Sequence, residues 1–278
     1  MTAPAVPTAR GAGVASDATT FRDVAPGCPV PGGTLVDDSA ISGVADGQAA
    51  VRGDLAAGPA TGGDPGGVSA GQLYELALRA PAARLWARGP DGRRPVPVDL
   101  WRGDLAPGDE VLLDACQGPT LDVGCGPGRL AAALTRGGVS ALGIDVTEGA
   151  VRLARRAGAK ALCLDVFGPV PGVGCWREVI LADGNIGIGG DPVRLLHRAR
   201  ALLAGHGRIL AEVEGPGRPT RVYPARLECA GLTSVPFGWA TVGVDGIGPL
   251  SGSAGLRVTA VTARAGRYFA VLEPRAEA

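Results

Sequence analysis

Seven residues, Asp122-Val123-Gly124-Cys125-Gly126-Pro127-Gly128, place three alternating glycines behind a carboxylate. Glycine carries no Cβ, so such a run turns tightly and lets a ligand approach the main chain. Thr120-Leu121-Asp122-Val123 reads as a short buried strand, and Gly128 to Leu134 as a helix. A helix N-terminus behind the bend favours a carboxylate or another anion. Two more carboxylates follow at or near the ends of expected strands, Asp145 and Asp165. The first can accept hydrogen bonds from both hydroxyls of a ribose, and the second from an exocyclic adenine amine. Open α/β sheets bind ligands at the carboxyl ends of their strands, so the three features together point to an adenosyl-type ligand. A nicotinamide dinucleotide would call for G-x-G-x-x-G. Arg129 stands where that third glycine belongs, and Lys160 has no tyrosine four residues before it to form a Tyr-x-x-x-Lys pair.

The acceptor side is less specified. Ala182 to Pro192 follows the fourth expected strand, and Asp183 and Asn185 are its candidates for substrate contact. The competing reading is a glycine-rich loop capped by Asp191, without chemistry. Glu212 and Glu214 lie two apart, and so on one face of a strand, but a solvated face explains them as well. His197 falls in a helix and His206 in a turn, both structural places. Cys125 is a small residue that fits its loop. Trp86, Trp101 and Trp239 lie outside the strand–helix core and suit either an apolar acceptor pocket or ordinary packing.

These residues carry a family resemblance. Leu121 to Leu130 resembles motif I of the class I S-adenosylmethionine-dependent methyltransferases. Gly143-Ile144-Asp145 looks like the family's ribose-binding strand end, and Leu164-Asp165-Val166-Phe167 like its adenine-binding loop. Leu202 to Leu210 is similar to the turn into its fifth strand, and the likeness runs from about Leu112 to Gly215. The resemblance implies S-adenosylmethionine as cofactor. Gly124, Gly126 and Gly128 would line its methionine portion, with Cys125 inside the loop, and Asp122 would hold the loop or meet the amino group. Asp145 would take the ribose; Asp165 and Val166 would take the adenine. The segment after the fourth strand would face the transferred methyl. It lacks the Asn-Pro-Pro-aromatic signature of DNA methyltransferases that act on exocyclic amines. The implied activity is methyl transfer to an unidentified small molecule. A catalytically silent binding domain is the alternative, and a nicotinamide-dependent oxidoreductase the weaker one.

The chain must position this constellation with 278 residues, in which 27 Lys and Arg balance 27 Asp and Glu. A neutral balance without a basic stripe argues against nucleic acid. No Cys-x-x-Cys pair occurs among six cysteines and there are two histidines, so no metal site is expected. No apolar run of membrane length and no signal-peptide core are read, and the cysteine spacing suggests no disulfide framework, so the expected setting is cytoplasmic. Oligomeric state is left open. Residues 1–68, rich in Ala, Gly, Pro, Asp and Thr, are expected as a disordered tail. Residues 69–117 are expected as an extension of a helix capped near Ser69, a hairpin turning at Gly89-Pro90-Asp91-Gly92 and a helix after Pro107. Residues 118–278 alternate strand and helix, which predicts a Rossmann-like α/β fold. Its mainly parallel seven-stranded sheet would have helices on both faces, a strand-rich insertion around 218–245 and an antiparallel terminal hairpin.

Overall fold

The computed structural model describes residues 67–80 and 82–276. All but the last two residues of the expected tail, 1–68, lie outside these.

A seven-stranded sheet runs β5 (Ala161–Cys163), β4 (Ala141–Asp145), β3 (Thr120–Val123), β6 (Trp176–Leu181), β7 (Leu203–Val213), β12 (Arg267–Pro274), β11 (Leu256–Arg264). The first five are parallel; β12 enters antiparallel between β7 and β11. The expected Rossmann-like sheet with a terminal hairpin is therefore what forms. Strands buried on both faces need near-continuous apolar sequence, and all four residues of β3 are buried. Alternate side chains go to opposite layers. Leu121, Leu142, Val179 and Ile209 meet α6 (Pro192–Leu202) and α7 (Val244–Ser253) on one face. Ile180, Leu210 and Phe269 meet α3 (Asp109–Ala115) and α4 (Arg129–Arg136) on the other. α5 (Glu148–Arg156) presents Val151 and Ala154 to the small residues Ala131 and Ala132 of α4. Strand order reverses at β3, whose neighbours are β4 and β6. The crevice at such a reversal is where this sheet type holds ligands, and the loops after β3 and β6 both open there.

The extension and the insertion, read from sequence as separate pieces, build one second sheet. β1 (Leu85–Gly89) and β2 (Gly92–Pro95) form the expected hairpin, with proline-flanked β2 at the edge. β1 then pairs with β8 (Arg221–Cys229) of the insertion, and β8 pairs with β10 (Phe237–Thr241) and the short β9 (Leu232–Thr233). A pairing between strands 140 residues apart in the chain leaves no local signal. α1 (Ala70–Arg79) packs Leu73, Ala77 and Leu78 against Leu85 and Cys229 of this sheet and Ala150 of α5. It begins as expected at Ser69, whose hydroxyl accepts from Gln72 N at 3.2 Å while Gln72 Oε1 accepts from Ser69 N at 2.7 Å. A five-residue helix, α2 (Val98–Arg102), joins the hairpin to α3 and was not foreseen. Cys116, Cys125, Cys163 and Cys229 are free thiols; Cys175 is disulfide-bonded, a link the spacing did not suggest. Among the described residues no helix is long and apolar enough to cross a membrane.

Candidate functional site

The glycine loop is tied to the strand beside it. Gly124 N and Cys125 N both donate to Ile144 O, at 2.8 and 3.0 Å. Cys125 is small for a steric reason: a Cβ on Gly143 of β4 would lie 2.6 Å from its Sγ. Burial pushes its thiol well above the ordinary range, which keeps it an inert packing group.

The three alternating glycines have positive φ, at +72°, +54° and +89°, and each faces something different. A Cβ on Gly124 would lie 2.7 Å from Asn185 Nδ2, and one on Gly128 2.6 Å from Ala154 Cβ in α5. Among the described residues a Cβ on Gly126 would meet only the Tyr74 hydroxyl, at 3.1 Å. Of the three, Gly126 has the most room beside it among these residues. Gly124 admits a strap, and Gly128 admits a helix.

The strap is Asn185, whose Nδ2 donates to Val123 O at 2.9 Å and Gly124 O at 3.0 Å. It opens two 3₁₀ turns, Asn185–Gly190, that follow β6. Asp183, just before it, holds φ +53°, uncommon without glycine. Its carboxylate bonds Arg129 Nη2 at 2.7 Å and approaches Arg267 Nη2 at 3.5 Å. Asp183 N donates to Glu212 Oε2 at 2.7 Å, and Arg267 grips both oxygens of Glu212 at 2.8 Å each. Asp109 completes the group, pairing with Arg129 and, at 2.8 Å, with Arg267. One network thus pins the ends of β6 and β7, the starts of α3 and α4 and the turn into β12. Burial raises the Asp183 carboxyl above its ordinary value, Arg129 opposes that, and Glu212 adds to it. Glu212 is not on a solvated face; Glu214 is exposed. His197 and His206 are exposed.

Asp122 lies fully inside at 2% exposure, and burial, with Asp183 and Asp145 nearby, pushes it up to about 7. Its partner is the backbone of Ala131 in α4, a loop-holding place. Asp145 stands at the end of β4, accepting from Gly126 N at 3.0 Å through Oδ2 and from Thr147 N at 2.8 Å through Oδ1. Burial raises it too, against those two bonds. Asp165 sits two residues beyond the end of β5, with Oδ1 accepting from Phe167 N at 2.9 Å. Val166 is buried beside it. Arg198 of α6 clamps this loop, donating to Val166 O at 2.8 Å and Gly168 O at 2.6 Å. Phe167 carries Arg194 on its ring at 4.1 Å and abuts Gly189 of the 3₁₀ turns.

Asp122, Gly126, Asp145 and the 165–166 loop are therefore brought to one end of the sheet, with Asp183 and Asn185 beside them. Sequence reasoning missed Tyr74, Asp109, Arg198 and Arg267. The buried start of α3 and the arginine at the terminal turn were visible, but nothing local showed that they meet. Among the described residues no cluster fit to hold a metal ion occurs.

Comparison with known proteins agrees with this geometry. Residues 121–170 match the family described as "Methyltransferase domain". No curated protein matches the chain. Among solved structures, a methyltransferase from Bacteroides fragilis in complex with S-adenosylhomocysteine superposes with a TM-score of 0.60 at 19% identity, covering 73% of this chain and 92% of its own. The CcbJ methyltransferase of Streptomyces caelestis aligns at TM-score 0.48 and 16% identity, over 64% and 90% of the two chains. A Burkholderia thailandensis 1,6-didemethyltoxoflavin-N1-methyltransferase aligns at 0.44 and 18%, over 60% and 75%. The chain carries a methyltransferase-domain segment within the class I methyltransferase fold, as the glycine loop led us to expect.

Proposed function

We propose that this protein transfers a methyl group from S-adenosylmethionine to a small, largely apolar acceptor. The observation that carries the reading is the cradle at the switch point. Gly126, at φ +54°, offers bare main chain, and Asp145 stands one hydrogen bond away at the tip of the adjoining strand. That combination fits a ligand with a ribose next to a chain that lies against the backbone. Asp145 would hold the ribose, and the 165–166 loop, clamped by Arg198, would hold the adenine. When bound, the cofactor supplies an electrophilic methyl on a sulfonium centre.

The protein's part is then to align an acceptor and exclude water. Asp183 and Asn185 serve this by holding rather than by proton transfer. The Asp183 oxygens face two arginines and the Asn185 amide is spent on the loop. The second sheet supplies the acceptor wall. Tyr223, Phe237 and Trp239 share the face whose other end, Leu227 and Cys229, packs on α1. All three aromatics are half-buried, and Phe237 and Trp239 meet edge to face at 6.1 Å. Trp86 does not belong to this wall; it points to the opposite face, under Arg93 at 4.1 Å. The test is to incubate purified protein with S-adenosylmethionine and fractionated metabolite pools and to search by mass spectrometry for a product heavier by one CH2. A turnover product that disappears in Asp145→Ala is expected. Cofactor binding with no product from any pool would favour a silent binding domain.

A further inference from the structure

Resting on the reading above, we propose that Tyr74 is a positioning residue for the cofactor, its hydroxyl donating to the methionyl carboxylate above Gly126. Tyr74 comes from the extension, not from the strand–helix core, and three contacts fix it there. The Ser69–Gln72 capping box sets where α1 begins. Glu75, the next residue, pairs with Arg152 of α5 at 2.9 Å, which orients the helix over the loop. Trp101 of α2 packs edge-on against the Tyr74 ring, with centroids 6.0 Å apart at 80°.

The hydroxyl so held lies 3.1 Å from the point a Gly126 Cβ would occupy, and among the described residues it has no hydrogen-bond partner. Tyr74 is half-buried, and its hydroxyl points at the loop glycine with room for a ligand beside it. Burial and the nearby Asp145 hold the phenol far above its ordinary ionisation range, so it remains a donor. Asp145 and Asp183 also lie near the hydroxyl, Asp183 already held between Arg129 and Arg267, so a carboxylate there needs a cation beside it. Arg102, tied to α1 through Ala77 O at 3.2 Å, has a buried Nε without a partner and is the cation near Tyr74. A carboxylate at Gly126 therefore finds its donor in Tyr74 and its counter-charge in Arg102.

Two ligands separate this role from simple packing. S-adenosylhomocysteine carries the amino-acid end; 5′-methylthioadenosine keeps the adenosine and sulfur but lacks it. Titration calorimetry of wild type and Tyr74→Phe is expected to show S-adenosylhomocysteine weakened roughly tenfold in the variant, the worth of a hydrogen bond to a charged group. Methylthioadenosine affinity is expected to stay the same. Loss for neither ligand, or equal loss for both, overturns the proposal. Wild type that binds neither ligand sinks the functional reading instead. Phenylalanine keeps the edge contact with Trp101, and an unchanged Tm verifies folding. The wild-type protein gives a second readout, Trp101 emission isolated by difference against Trp101→Phe. That emission is expected to respond to saturation with S-adenosylhomocysteine and not with methylthioadenosine; an equal response to both overturns the assignment.

Discussion

Two glycines two residues apart in the same loop, Gly126 and Gly128, should fail in different ways when replaced by alanine. At Gly128, φ is +89° and the added Cβ would stand 2.6 Å from Ala154 Cβ and 2.8 Å from Ala154 Cα. The second contact is to backbone, so no rotamer change relieves it. An alanine in the left-handed region costs about 1–2 kcal/mol, and overpacking a filled site adds about 1–3 kcal/mol. At Gly138, φ is +81° and no described residue lies within 4 Å of the new Cβ, so only the conformational cost applies. Gly138→Ala is thus an internal control for Gly128→Ala. At roughly 2–4 °C per kcal/mol for a domain of this size, Gly128→Ala should melt a further ~2–12 °C below the control. Gly126→Ala, whose Cβ meets only the Tyr74 hydroxyl at 3.1 Å among the described residues, should melt like Gly138→Ala yet lose S-adenosylhomocysteine binding. Scanning calorimetry and binding titration on the three variants check this. Equal melting of Gly128→Ala and Gly138→Ala would refute the packing role of Gly128. Full ligand affinity in Gly126→Ala would refute the cradle.

The buried charges make two further predictions. Arg129 and Asp109 have side-chain exposures of 3% and 0%, so Arg129→Met leaves the buried Asp109 carboxylate with Arg267 as its one remaining arginine and should cost about 1.5–3 kcal/mol in urea unfolding. Adding Asp109→Asn should recover a large part of that loss; a purely additive double variant would show that the two groups are not coupled. Asp122 makes stability depend on pH in a defined sense. Its folded value, about 7, lies above the ordinary 3.8, so the folded state binds the extra proton between those values. The stabilisation is complete below about pH 4 and is lost as pH rises through about 7, on the order of 4 kcal/mol in all. Asp122→Asn should therefore narrow the gap in Tm between pH 5 and pH 8, and an unchanged gap would count against a protonated Asp122.

What could be read from sequence followed the range of the interactions. The strand–glycine–helix signal at Thr120 to Leu134 is local, and β3, α4 and their loop form where the pattern put them. The capping residues Ser69 and Asp191 were legible for the same reason, since each bonds a backbone N–H three residues on. The place of Asp145 at the end of β4 was legible because its strand is local, and there it accepts from Gly126 N. What was hidden depends on partners far away in the chain. The hairpin β1–β2 could be predicted as a hairpin, but its pairing of Trp86 with Glu228 could not. Without that second sheet α1 has nothing to lean on, and Tyr74 looks like one more apolar residue on a helix. Asn185 shows the converse. Its position after β6 is legible, but nothing local shows that its amide fills the space that Gly124 leaves by lacking a side chain. A glycine motif therefore has two kinds of empty space in it. Some is left open and some is already taken by the protein, and only the distances to distant residues tell which is which.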